Sequence, residues 1–193
     1  MRLSIFSITM LTLLLSCGEA GTDEEGVLDD TAGMAADTGA APTRADSARA
    51  DVQDADGRSL GTVRLIPQRD GIALSGTLTG LAPGEHGFHI HELGSCEPPS
   101  FSSAGGHFAP FMNAHGFEVE GGPHAGDLSN LTAGPDSTAV IDQTNERVTL
   151  REGESALLDA DGSALIVHAA ADDYVTQPSG ASGDPIACGV IEG

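Results

Sequence analysis

Glu85-His86-Gly87-Phe88-His89-Ile90-His91-Glu92-Leu93-Gly94-Ser95-Cys96 is the stretch on which the reading of this chain turns. Phe88 and Ile90 alternate with His89 and His91, a period of two that predicts a β-strand with one face in a core. Residues two apart on a strand point the same way, about 7 Å from each other. His89 and His91 therefore present two imidazoles side by side. His86 has the opposite parity and is expected to be a structural, hydrogen-bonding histidine.

Working outward, period-two runs recur on both sides. Alternation begins near Ser47 and continues through Thr62–Leu65 and Ile72–Thr79, with Asp70-Gly71 as a hairpin signal between them. Beyond Asp127 come Leu128–Leu131, Ala139–Asp142, Val148–Leu150, Leu165–His168 and Ile186–Ile191. Short strands at this spacing predict an all-β domain, a barrel or sandwich of about eight antiparallel strands around one core. Two long connections interrupt it, Leu93–Gly126 and Ala169–Pro185, and loops of that length are uncommon unless they carry function.

Six of the seven histidines fall between Glu85 and Asp127: His86, His89, His91, His107, His115 and His124. The seventh, His168, closes a later apolar run. Four neutral imidazoles suit copper, and imidazoles with a carboxylate such as Asp127 suit zinc.

The N-terminal part has a different character. Residues 1–16 have a single basic residue, Arg2, before an apolar run over Leu3–Leu15 that is too short to span a bilayer. The run ends in Leu14-Leu15-Ser16-Cys17, which resembles the lipobox of bacterial lipoprotein signals and implies a lipid on Cys17. Residues 17–46 hold that cysteine and an acidic tether too poor in large apolar residues to offset the entropy of ordering. The domain itself is expected over 47–193. Three cysteines make an odd count; lipidation of Cys17 accounts for one, leaving Cys96 and Cys188 either as a pair or as two buried thiols.

The formal net charge is −21, and every cation is an arginine. From Asp56 onward there are nineteen acids and five arginines, a net of −14. Such a surface excludes nucleic acid and anionic lipid as natural partners and leaves membrane contact to the lipid on Cys17. The apolar strand faces suit a single copy or a homodimer.

Gly87-Phe88-His89-Ile90-His91-Glu92, Ala104-Gly105-Gly106-His107-Phe108, His115-Gly116, His124-Ala125-Gly126-Asp127-Leu128, Leu165-Ile166-Val167-His168 and Ala187-Cys188-Gly189-Val190-Ile191 together resemble the copper/zinc superoxide dismutase family, in order and over roughly Ser47–Glu192. The resemblance implies a Greek-key β-barrel. It implies one copper on His89, His91, His107 and His168, and one zinc on His107, His115, His124 and Asp127. It further implies Asp172 as a carboxylate joining a copper histidine to a zinc histidine, a Cys96–Cys188 disulfide, and superoxide as substrate in the bacterial cell envelope. One position departs from the family. Where it carries an anion-guiding arginine, three residues before the second disulfide cysteine, this chain has Pro185, and Arg151 is its last cation. That departure implies a dismutase slower than is typical, or a copper- and zinc-binding protein without the activity.

Overall fold

The computed structural model describes residues 46–193. The expected signal over 1–16, Cys17 and the tether up to Ala45 lie outside the described residues. Within them the chain forms nine strands and no α-helix. These are β1 (Ala48–Asp54), β2 (Ser59–Gln68), β3 (Gly71–Thr79), β4 (Gly84–His86), β5 (Phe88–His91), β6 (Leu131–Ala133), β7 (Thr138–Asn145), β8 (Ala164–His168) and β9 (Pro185–Glu192).

Every strand pairs antiparallel with its neighbours in the order β4-β6-β7-β3-β2-β1-β9-β8-β5. The two ends of that order, β4 and β5, are separated in the chain only by Gly87, so the sheet wraps into a nearly closed barrel. Such closure leaves little exposed edge. Period-two alternation puts Val63, Leu65, Ile72, Leu74, Leu78, Phe88, Ile90, Leu165 and Val167 inside, all essentially inaccessible.

The strand runs differ from expectation in three places. Gly84–His86 makes a separate short strand against β6, with His86 opposite Leu131. The run expected at Leu128–Leu131 pairs instead over Leu131–Ala133; Ser129 is held by the Gln143 side chain of β7 and Asn130 by Asp172 and Tyr174 of the second long connection. Val148–Leu150 forms no strand; Thr149 makes only an isolated bridge to Ala156.

β5 and β8 are buried on both faces. Phe88, Ile90, Leu165 and Val167 fill the barrel, whereas Ala164, Ile166, His89, His91 and His168 point out of it. A barrel's outer face is normally wet, but here the two long connections cover it. Phe101 and Ala104 pack on Ala164, Ile166 and Cys188 in a second apolar cluster, and a Cys96–Cys188 disulfide fastens the first connection to β9.

Candidate metal centre

Among the described residues the outer edge of β5 has no neighbouring strand, and its backbone groups find partners in the long loop. Glu92 N–H donates to Gly106 O (3.0 Å), Phe108 N–H to Ile90 O (2.8 Å), Ile90 N–H to Gly126 O (2.8 Å) and Gly126 N–H to Phe108 O (2.8 Å). These bonds draw His107 beside His91 and Asp127 beside His89. The approach requires glycine at 126: a Cβ there would run into Ile90 O.

Two clusters result. His89, His91, His107 and His168 bring one ligand atom each within 4.8 Å of one another, and so do His107, His115, His124 and Asp127. All but the partly exposed His124 are buried, and His107 belongs to both.

Hydrogen bonds fix which nitrogen each ring offers. His91 Nδ1–H donates to Gly105 O (2.8 Å) and His168 Nδ1–H to Gly183 O (2.9 Å). His89 Nε2–H donates to Asp172 Oδ2 (2.8 Å). That leaves His89 Nδ1, His91 Nε2, His107 Nε2 and His168 Nε2 buried with no hydrogen-bond partner among the described residues. A buried polar atom without a partner costs free energy. Four of them converging on one point are the signature of a site that a metal completes. Burial, outweighing the hydrogen bonds, depresses His89 and His91 to about 3 and lowers His168. These rings are therefore neutral donors.

The second cluster is built around Asp127. Its Oδ2 accepts the N–H groups of Gly116 and His124, both at 2.9 Å. Its Oδ1 faces His107 Nδ1 (2.9 Å), His115 Nδ1 (3.0 Å) and His124 Nδ1 (3.4 Å). Three ring nitrogens crowd one oxygen, at separations near the ~3.4 Å edge of a tetrahedron with bonds of about 2.0–2.1 Å. Burial works against ionisation of Asp127, but the contacts with His107, His115 and His124 prevail and hold it far below the usual carboxylate range. His115 is desolvated, yet its contacts with Asp127 and Asp172 raise it to about 9. A metal at Nδ1 would displace that proton.

Asp172 lies between the clusters, Oδ2 on His89 Nε2 and Oδ1 on His115 Nε2 (3.0 Å). Burial opposes its ionisation but the two histidines lower its pKa. Gly180 packs against this carboxylate, and a Cβ at 180 would collide with Asp172 Oδ1. His86 stays outside both clusters; its ring nitrogens face the carbonyls of His168 (2.7 Å) and Ala82 (2.8 Å).

Several supporting residues were not singled out from the sequence. Gln177 grips both backbone groups of His115, accepting from its N–H (2.9 Å) and donating to its C=O (2.8 Å). Asn130 does the same for Asp172, at 2.9 Å in each direction. Polar residues in loops leave no periodic signal that would have found them.

The donor sets suit copper at the four imidazoles and zinc at the three imidazoles and carboxylate. Fold and site together define a two-metal β-barrel protein with one shared histidine. The description of the copper/zinc superoxide dismutase family matches residues 59–191. The chain is 40% identical over 145 residues to a superoxide dismutase [Cu-Zn] of Aquifex aeolicus, covering 74% of this chain and 86% of that one. It is 42% identical over 149 residues to the superoxide dismutase [Cu-Zn] of Caulobacter vibrioides, covering 76% and 86%. A crystal structure of a double mutant of a SOD-like protein from Bacillus subtilis superposes with a TM-score of 0.73 at 41% identity, over 75% of this chain and 97% of that one. This chain belongs to the copper/zinc superoxide dismutase family.

Proposed function

We propose that this protein dismutates superoxide to dioxygen and hydrogen peroxide, with copper held by His89, His91, His107 and His168 and zinc by His107, His115, His124 and Asp127. The observation that carries this reading is His107, which places one ring nitrogen in each cluster. Copper bound there supplies one-electron chemistry, oxidising one superoxide and reducing the next.

The residues of the chain do the rest. Gly105 O, Gly183 O and Asp172 hold three rings in the tautomer that aims a lone pair at copper. His107 Nε2 is the atom at which a proton can be held and handed on as peroxide forms, while Asp127 and the zinc side keep Nδ1 in place. Asp172 couples the two halves by holding His89 and His115 on one carboxylate.

The entrance supports a slower enzyme than is typical for the family. Pro185 sits opposite His168 in the β8–β9 ladder, Asp184 precedes it, and Ala169 and Ala170 follow His168. Superoxide is an anion and the domain is strongly acidic. Two like unit charges 4 Å apart repel by about 1 kcal/mol in water and about 4 kcal/mol at an effective dielectric of 20. Without a guiding cation the rate should fall by roughly one to three powers of ten.

Measurement of the second-order rate on copper- and zinc-loaded protein from low to high salt tests this directly. A weak or inverted salt dependence is expected, with Pro185→Arg faster than the parent. A diffusion-limited rate that falls steeply with salt would overturn the slow-entrance reading. Stoichiometric binding of both metals with no dismutation would replace the enzyme by a copper- and zinc-binding protein, a reading that Pro185 and the acidic entrance favour.

Export and lipid anchoring at Cys17 complete the proposal, supported by Leu14–Cys17 and by a disulfide suited to an oxidising compartment. Labelling with a fatty-acid analogue should mark the parent and not Cys17→Ser; equal labelling of both would sink the anchor.

A further inference from the structure

The segment that carries His124 and Asp127 belongs to no strand, yet three of its carbonyls are held by the end of β7 and the two residues beyond. Asn145, the last residue of β7 and fully buried, donates from Nδ2 to Ala125 O (2.7 Å). Its Oδ1 accepts the backbone N–H of Arg147 (2.9 Å). Arg147 then donates from Nη2 to Asp127 O (2.8 Å) and from Nε to His124 O (3.3 Å). Its guanidinium lies 5.3 Å from the centre of the Phe117 ring. Asn145 is itself anchored, paired with Ile72 in the barrel.

We propose that Arg147 is a positioning residue for the zinc half of the site: its planar fork fixes the backbone of His124 and Asp127 and so aims their side chains at the metal. The inference rests on zinc binding at that cluster, as proposed above. A guanidinium suits the task because two donors in a fixed plane reach two acceptors at once, which an ammonium cannot match. Charge alone argues the other way, since a cation beside a divalent metal repels it. The sign of the effect therefore separates positioning from electrostatics.

Zinc affinity is measured on the copper-free full chain by competition with a chromophoric chelator, and the geometry of the site by the visible spectrum of bound cobalt(II). Arg147→Met, which keeps the length and removes fork and charge, should weaken zinc about tenfold to a hundredfold and change the cobalt spectrum. Copper affinity at the four-histidine cluster should stay unchanged. Arg147→Lys, which keeps the charge, should fall between the two. Phe117→Leu removes the ring beside the guanidinium and should weaken zinc by about two- to fivefold.

Zinc binding as tight as the parent's, or tighter, in Arg147→Met would overturn the proposal, as would parental affinity in Arg147→Lys. Parallel loss of zinc and copper affinity, tracking a lower melting temperature of the metal-free protein, would reduce Arg147 to a structural residue. If Arg147→Met does not fold, the lysine and Phe117→Leu variants decide between the same outcomes. A parent chain that binds no zinc would instead overturn the underlying metal assignment.

Discussion

The two clusters are assembled in different ways. In the four-histidine cluster, His89 and His91 ride on β5 and His168 ends β8, so barrel register sets their positions and backbone carbonyls or Asp172 set their tautomers. In the other cluster every ligand candidate lies in the loop between β5 and β6. There the backbone is held one segment at a time, by Gln177 at His115 and by Asn145 and Arg147 at residues 124–127. The strand-borne half is organised by the fold itself. The loop-borne half needs side-chain clamps and a metal to hold the same precision, because an irregular segment has no ladder to repeat its geometry.

The largest expected effect falls on the cover that both halves share. Cys96→Ser with Cys188→Ser opens a cross-link spanning 92 residues, worth about 4–5 kcal/mol by loop-closure entropy. Denaturant unfolding should show a loss of that order; a loss under about 1 kcal/mol would mean that packing of Phe101 and Ala104 alone holds the cover.

Removal of the zinc alone comes next. Metal at a thousandfold excess over its dissociation constant stabilises by about 4 kcal/mol, or about 8–16 °C in melting temperature at roughly 2–4 °C per kcal/mol. Hydrogen exchange should then rise mostly at residues 107–127 and little in β5 and β8. Equal loss of protection in both regions would break the contrast between them.

Asp172→Ala removes a carboxylate that touches a histidine of each half. Both metals should bind about tenfold to a hundredfold more weakly, unlike the zinc-selective effect expected at Arg147. A loss confined to one metal would show that the bridge serves that side alone.

A pH profile of the metal-free protein sets histidines of the two clusters against each other in one experiment. His89 and His91 have folded values near 3 against an ordinary 6.5. The unfolded chain therefore binds more protons between those values, and stability rises with pH across that window. His115 is raised to about 9. Its contribution is complete below 6.5 and is lost as pH climbs through 9. Maximum stability near pH 6.5 is expected in thermal melts, and His115→Asn should flatten the alkaline limb only.

Much of this was legible in the residues, and unevenly so. β5 could be read because Phe88 and Ile90 alternate with His89 and His91, and the hairpin at Asp70-Gly71 because turn chemistry is local. β4 was missed because three residues are too few to show a period. Val148–Leu150 alternates like a strand but finds no ladder, since the chain leaves β7 at Asn145 to serve the site. His107, His115 and His124 could be grouped by family resemblance, but no periodicity places a residue in a loop.

The sequence by itself determined an all-β fold, the outward parity of His89 and His91, a strongly acidic surface, and the presence of proline rather than arginine at 185. Each depends on residue identity or on spacing along one strand. Only the tertiary structure decided that the outer face of β5 and β8 is dry and that Asn130, Gln177 and Arg147 stand where they do, whereas the double membership of His107 and the place of Asp172 were implied by family resemblance and by no local pattern. Those facts join segments far apart in the chain, and such contacts are set by barrel closure and loop packing rather than by any local pattern.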